Sequence, residues 1–198
     1  TIPLKKCKKD CPWCGYSGED VVYEHEPTTA FQKWCREEPS KDLQQYTRTY
    51  EAIKVERVVN ILMRAGADYR ELGPHLWEWH FANPSSATAH GGFKAGLYGR
   101  VNKNGYFQAT DTNVDPSAKQ SRVLNPYCKR IVTVRELARS QGFPDKFVFQ
   151  AENDRVMTMH RQIGNAVPWP VAMAIGRELR KVLVKKWSKE REDVMVVD

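Results

Sequence analysis

The stretch RQIGNAVPWPVAMAIG, residues 161–176, decides how the C-terminal part of the chain is read. Pro168 suits a first helical turn, where a missing N–H costs nothing, so the prolines around Trp169 set the start of a helix. Val171, Ile175, Leu179, Val182 and Leu183 then make its apolar face, with Arg and Lys on the other side. Gly164-Asn165, just before, reads as a tight backbone turn that exposes amides and a side-chain amide beside a helix N-terminus. Such a place can hold a polar ligand. A plain loop-to-helix turn accounts for the same residues. The tail from Ser188 is charged and reads as frayed.

Working outward, VMTMHRQIG (156–164) predicts a short helix or turn. TVRELARSQGFPD (133–145) predicts a compact helix with both ends written in sequence. Thr133 caps it, Glu136 completes a capping box, Gly142 ends it and Pro144 prevents continuation. GLYGRVNKNGYFQAT (96–110) reads as a hairpin turning at Asn104-Gly105. DTNVDPSAKQSRV (111–123) reads as a polar loop. Residues 66–94, rich in Gly, Pro, Ser and aromatics, read as a long ordered loop region, uncommon unless functional. A helix is expected over 50–64, with Val55, Val58, Val59, Leu62 and Met63 on one face and Gly66 stopping it. Another is expected over 28–38, with Thr at the cap and Pro39 at its end. Residues 1–24 are basic, Cys-rich and loop-like.

The chain has 198 residues, 41% of them hydrophobic, with six Trp, eight Tyr and seven Phe, enough for a packed core. The net charge of +7 suits a polyanion partner, nucleic acid first; a solvated basic surface is the alternative. No apolar run reaches the ~20 residues of a membrane span. Five Cys without a secretory signal point to a reducing compartment. A start at Thr1 leads us to expect a piece of something longer.

RELARSQGFPD (135–145) followed by HRQIGNAVPWPVAMAIG (160–176) resembles the last two motifs of DNA cytosine-5 methyltransferases in order and separation. GLYGRVNKNGYFQATDTNVDPSAKQSRVLNP (96–126) resembles the target-recognition region of the eukaryotic maintenance-type enzymes. EPTTAFQKWCRE (26–37) and VERVVNILMRAGADYREL (55–72) resemble the helical part of that region. The likeness covers residues 25–186.

It implies a mixed α/β fold: the C-terminal part of a class I S-adenosylmethionine-dependent methyltransferase domain, with an irregular, partly β target-recognition domain. Residues 25–128 would be the recognition domain, 129–187 the last two motifs and a helix packing on the catalytic core, and 188–198 a charged tail. The implied reaction moves methyl from S-adenosylmethionine to C5 of cytosine in double-stranded DNA, at CpG, hemimethylated sites included, in the nucleus. In that family a cysteine thiolate attacks C6 of a flipped-out base. The Pro-Cys-Gln, Glu-Asn-Val and Gly-rich first motifs that do this do not occur here, so no residue of this chain is assigned as catalytic. An upstream catalytic portion of the same protein is the expected partner, and the segment alone is expected to be inactive. A non-catalytic DNA-binding or regulatory remnant is the alternative.

By the same resemblance, Asn165 and Val167 match positions that touch the cofactor. Lys119 and Gln120 match the CpG-reading loop, and Leu97 an apolar residue of the methyl-sensing pocket, where Ser117 replaces an expected Met. Thr110 and Thr112 match a segment near the target strand. Arg122, with Arg100 and Arg130, is a candidate backbone contact. Arg139, Gln141 and Asp145 would organise the recognition domain against the core without reacting, and Phe143 would pack inside. Separately, Cys7, Cys11 and Cys14 form a C-x3-C-x2-C cluster that a structural zinc can use with His25 or Cys35; free thiols in a basic loop are the alternative.

Overall fold

The computed structural model describes residues 13–16, 23–38, 40–78, 83, 85, 96–108, 112–118 and 122–195. Strand β1 (Trp13–Tyr16) pairs antiparallel with β2 (Gln45–Arg48), Trp13 opposite Arg48 and Tyr16 opposite Gln45. The expectation of a wholly loop-like N-terminal segment is therefore corrected. Gly15 permits the pairing: its φ is +136°, and a Cβ there would lie 2.5 Å from the Gln45 carbonyl oxygen and the Tyr46 Cα.

Helix α1 (Ala30–Cys35) is capped by the Thr29 hydroxyl, which accepts from the Gln32 amide at 3.1 Å. Helix α2 (Ala52–Asn60) is shorter than expected and turns extended at Ile61. Its stripe does not face the core: Val58 is buried, whereas Val55, Val59, Leu62 and Met63 are exposed. The core draws instead on the segment after it. Ile61, Ala67, Tyr69, Leu72 and Leu76 are buried, carried by short 3-10 turns at Tyr69–Glu71 and Pro74–Leu76.

Among the described residues the expected hairpin does not form. Asn102 makes the turn, accepting from the Gly105 amide at 3.1 Å and, through its side chain, from the Asn104 amide at 3.0 Å. Strand β3 (Gly99–Arg100) nevertheless pairs parallel with the distant β4 (Arg122–Leu124). The Val101 amide extends that pairing to the Leu124 carbonyl at 3.0 Å. Beyond the turn Tyr106 is 83% exposed, while Phe107 packs against the core without entering a ladder.

Helix α3 (Val134–Ser140) has the expected ends: a complete Thr133/Glu136 capping box, and Gly142 at φ +77°. Helix α4 (Val156–Asn165) packs on α3 and β2. Helix α5 (Trp169–Met195) follows. Its residues Val171, Ile175, Leu179 and Val182 are exposed, as expected of a face without its partner surface. One core cluster joins β2, α3, α4, residues 61–76 and the β3–β4 region. The architecture is mixed helix and strand, with two-stranded sheets only among the described residues. No helix among them is long and apolar enough to cross a membrane.

Candidate nucleic-acid and cofactor interface

The two C-terminal motifs meet where α3 ends and α5 begins. The Trp169 amide donates to the Gln141 carbonyl at 2.8 Å. Gly142 lies against Pro170 so closely that a Cβ would be 2.5 Å from its Cδ. Phe143 packs edge-on to Trp169, centroids 5.7 Å apart, and to Phe149 at 5.1 Å.

Beside this junction Arg139 forks onto the buried Asp145, with Nη2 2.8 and 2.7 Å from the two carboxylate oxygens. The Tyr23 hydroxyl bonds to both partners, and burial first of all pushes its pKa up to about 12. Arg135 is fully buried and donates to the carbonyls of Leu43, Pro144 and Phe147. Arg135 fixes backbone, and the Arg139–Asp145–Tyr23 bonds tie the end of α3 to the N-terminal segment.

Helix α4 runs through Gly164 and Asn165, so the expected tight turn there is corrected: the chain changes direction at Ala166, whose amide bonds to the Ile163 carbonyl. Pro168 and Pro170 carry no amide, and that of Trp169 is committed to Gln141. The start of α5 therefore offers few backbone donors to an anion. What stands exposed is the Asn165 side chain and, two residues on, Val167 at 57%. On the same helix α4, His160 is buried, its Nε2 without a hydrogen-bond partner among the described residues. Desolvation, helped by the positive charge of Arg48, lowers its pKa to about 3.

The loop over residues 112–118 is held by partners from distant parts of the chain. Asp115 forms an ion pair with Arg48 and accepts from Lys54 Nζ at 3.1 Å and from the Ser117 amide and hydroxyl at 2.9 and 2.7 Å. Burial raises its pKa, but the Ser117 and Lys54 bonds outweigh that, and the carboxyl stays below its ordinary range. Val114 and Pro116 accept from the Tyr50 hydroxyl and the Tyr98 amide. Thr112 is half-buried on this loop. Arg122, half-buried, borders a small cleft with Asn102, Tyr106 and Gln108. Thr110, Lys119 and Gln120 lie outside the described residues.

Leu97 is 2% exposed, packed into the core beneath this loop with no face toward solvent. Arg100 is not a DNA contact: 1% exposed, it donates to the carbonyls of Leu62, Asn125, Cys128 and Ile61. Arg130 is turned onto Glu136, bonding both carboxylate oxygens at 2.7 Å. Sequence reasoning missed Arg48, Lys54 and Asp115 as a unit. The Asp115-Pro116-Ser117 run carried a turn signal, but its cationic partners lie far away in the chain.

Cys7 and Cys11 lie outside the described residues, and Cys14 enters only as the β1 partner of Thr47. Cys35 is buried, and burial raises its thiol pKa, the opposite of what a ligand or nucleophile needs. Among the described residues no group of three His, Cys, Asp or Glu is placed to hold a metal ion.

The family model of C-5 cytosine-specific DNA methylase matches residues 17–181. The chain is 48% identical over 109 residues to DNA (cytosine-5)-methyltransferase PliMCI of Paracentrotus lividus, covering 55% of this chain and 6% of that protein. It is 52% identical over 90 residues to DNA (cytosine-5)-methyltransferase 1 of Mus musculus, covering 46% of this chain and 5% of that protein. With DNA (cytosine-5)-methyltransferase 2 of Arabidopsis thaliana it shares 35% over 187 residues, 90% of this chain and 12% of that protein. The chain thus spans only a small part of the length of these relatives.

Proposed function

Because the chain belongs to the C-5 cytosine-specific DNA methylase family, we propose that it supplies target recognition and one edge of the cofactor pocket to a nuclear DNA cytosine-5 methyltransferase acting at CpG. The observation that supports this is the joining of residues 135–145 to 160–176 through Gln141–Trp169 and Gly142–Pro170, with Asn165 and Val167 both exposed next to that junction in the chain. A side-chain amide next to an apolar methyl pair fits a ligand with both polar and apolar edges, as S-adenosylmethionine has. When bound, that cofactor supplies an electrophilic methyl group. The chain's own residues bind and orient: Asn165 hydrogen-bonds, Val167 gives an apolar wall, and the Arg139–Asp145 pair fixes the segment after α3 that meets Trp169 and Pro170.

On the DNA side, Lys119 and Gln120 read the base edges, Lys donating to guanine O6 and N7. Thr112, Thr110 and Arg122 take the backbone. Leu97 acts as the floor under the loop. The nucleophile comes from a partner segment carrying Pro-Cys-Gln, absent from this sequence. The direct test compares, by fluorescence anisotropy at low salt, binding to a short duplex with one CpG and to its TpG counterpart. Preference for CpG, lost in Lys119→Ala, is the expected result; equal affinity for both duplexes overturns the reading.

A further inference from the structure

Helix α5 has two sides of different chemistry. Val171, Ile175, Leu179 and Val182 recur at helical spacing along one of them. Arg177, Arg180, Lys181 and Lys185, spaced i, i+3, i+4 and i+8, line the other, and all four are exposed. Together with Val184 they border one shallow cleft. Glu178 is the one carboxylate in the sequence between 177 and 185, and it is held by Lys181 at 2.6 Å in an exposed pair that contributes little. Among the described residues Arg177, Arg180 and Lys185 make no ion pair. From Arg177 to Lys185 the helix rises about 12 Å, the axial length of three to four nucleotides of one DNA strand.

We propose that this side of α5 is a second, sequence-independent DNA contact: its arginines and lysines bind the phosphate backbone of duplex DNA and read no base. Charge identifies the partner. Arg177 and Lys181, and Lys181 and Lys185, are like charges at i, i+4, an arrangement that costs helix stability and that an anion lying along them offsets. The family to which the chain belongs acts on DNA, whose strands carry the complementary charge in a regular row. The apolar side of α5 points away from these cations, so a protein surface that covers Val171, Ile175, Leu179 and Val182 leaves them open. This contact needs neither Lys119 nor any base preference, and so goes beyond the recognition reading above.

The test compares two double variants of the whole chain, each losing two positive charges from α5. Arg180→Gln with Lys185→Gln takes half the charge from the basic side. Lys186→Gln with Lys189→Gln, seven residues on from Leu179 and Val182, takes the same charge from the apolar side. Glutamine is nearly as good a helix former as lysine or arginine, so both variants keep the helix. Fluorescence anisotropy follows binding to the CpG and TpG duplexes over a range of salt concentrations. In the first variant the slope of log affinity against log salt is expected to become shallower by about two, with affinity lower by about tenfold at about 0.1 M salt, on both duplexes alike. In the second variant the slope moves by less than about half a unit. Equal losses in the two variants overturn the proposal, because net charge alone then explains them. Unchanged duplex binding in the first variant, or a loss confined to single-stranded RNA, overturns it as well. CpG preference and its loss in Lys119→Ala are a separate readout, so failure of the recognition reading leaves this contact standing.

Discussion

Gln44 and Phe149 hold each other by two hydrogen bonds across the core: Gln44 Nε2 donates to the Phe149 carbonyl at 2.7 Å, and the Phe149 amide donates to Gln44 Oε1 at 2.8 Å. Gln44 is 1% exposed, so water cannot replace either bond. Gln44→Leu leaves two buried backbone groups unpaired and is expected to lower stability by about 2–4 kcal/mol. Urea denaturation of the variant measures it.

Gly142→Ala places a methyl group against Pro170 at a backbone conformation that disfavours any side chain. Strain and clash together are expected to cost about 2–4 kcal/mol. Adding Pro170→Ala relieves the clash and recovers part of the loss, leaving the cost of the positive φ. The two variants and their combination, compared by thermal unfolding, give the split.

Arg100→Met removes the donors that four carbonyls share and is expected to destabilise by roughly 3 kcal/mol or more. DNA affinity, measured at a temperature where the variant is still folded, stays near wild type, because the guanidinium does not reach the surface.

Protonation of His160 opposes folding. Its pKa is about 3 in the folded chain against an ordinary 6.5, so between these values the unfolded chain binds a proton that the folded one refuses. Stability is therefore fully present above about pH 6.5 and declines as pH falls toward 3, by about 2 kcal/mol between pH 7 and 5. Denaturation midpoints at the two pH values show it, and His160→Leu flattens this contribution to the slope.

Asn165→Ala, in protein that binds S-adenosylmethionine, is expected to weaken the cofactor about tenfold through loss of one polar contact. Folding is unaffected because the side chain is exposed. Calorimetric titration separates the two effects.

What could be read from the sequence was local. Helix α3 was legible at both ends because Thr133, Glu136, Gly142 and Pro144 act within a few residues of one another. The start of α5 was legible because Pro168 fixes it. The hairpin failed for the complementary reason: Asn104-Gly105 does specify a turn, but what β3 pairs with is decided by β4, more than twenty residues away. The stripe on α2 had helical spacing, yet spacing says nothing of which surface it meets, and most of it meets solvent. Arginine is usually a surface residue, so Arg100 looked like a contact for phosphate; its burial depends on carbonyls that only the folded chain collects. Asn165 and Val167 were singled out by likeness alone, and the Arg48–Lys54–Asp115 cluster shows only in three dimensions.

The buried guanidinium of Arg100 has a consequence for exchanging parts between relatives. It gathers the carbonyls of residues 61–62 and of residues 125 and 128, two irregular segments that no strand pairing joins. A chimera with a different residue at position 100 would leave both segments without their common donor. The span from Ile61 to Cys128 therefore moves only together with this arginine, and only with the residues before it, Arg48, Tyr50 and Lys54, that hold Val114 and Asp115.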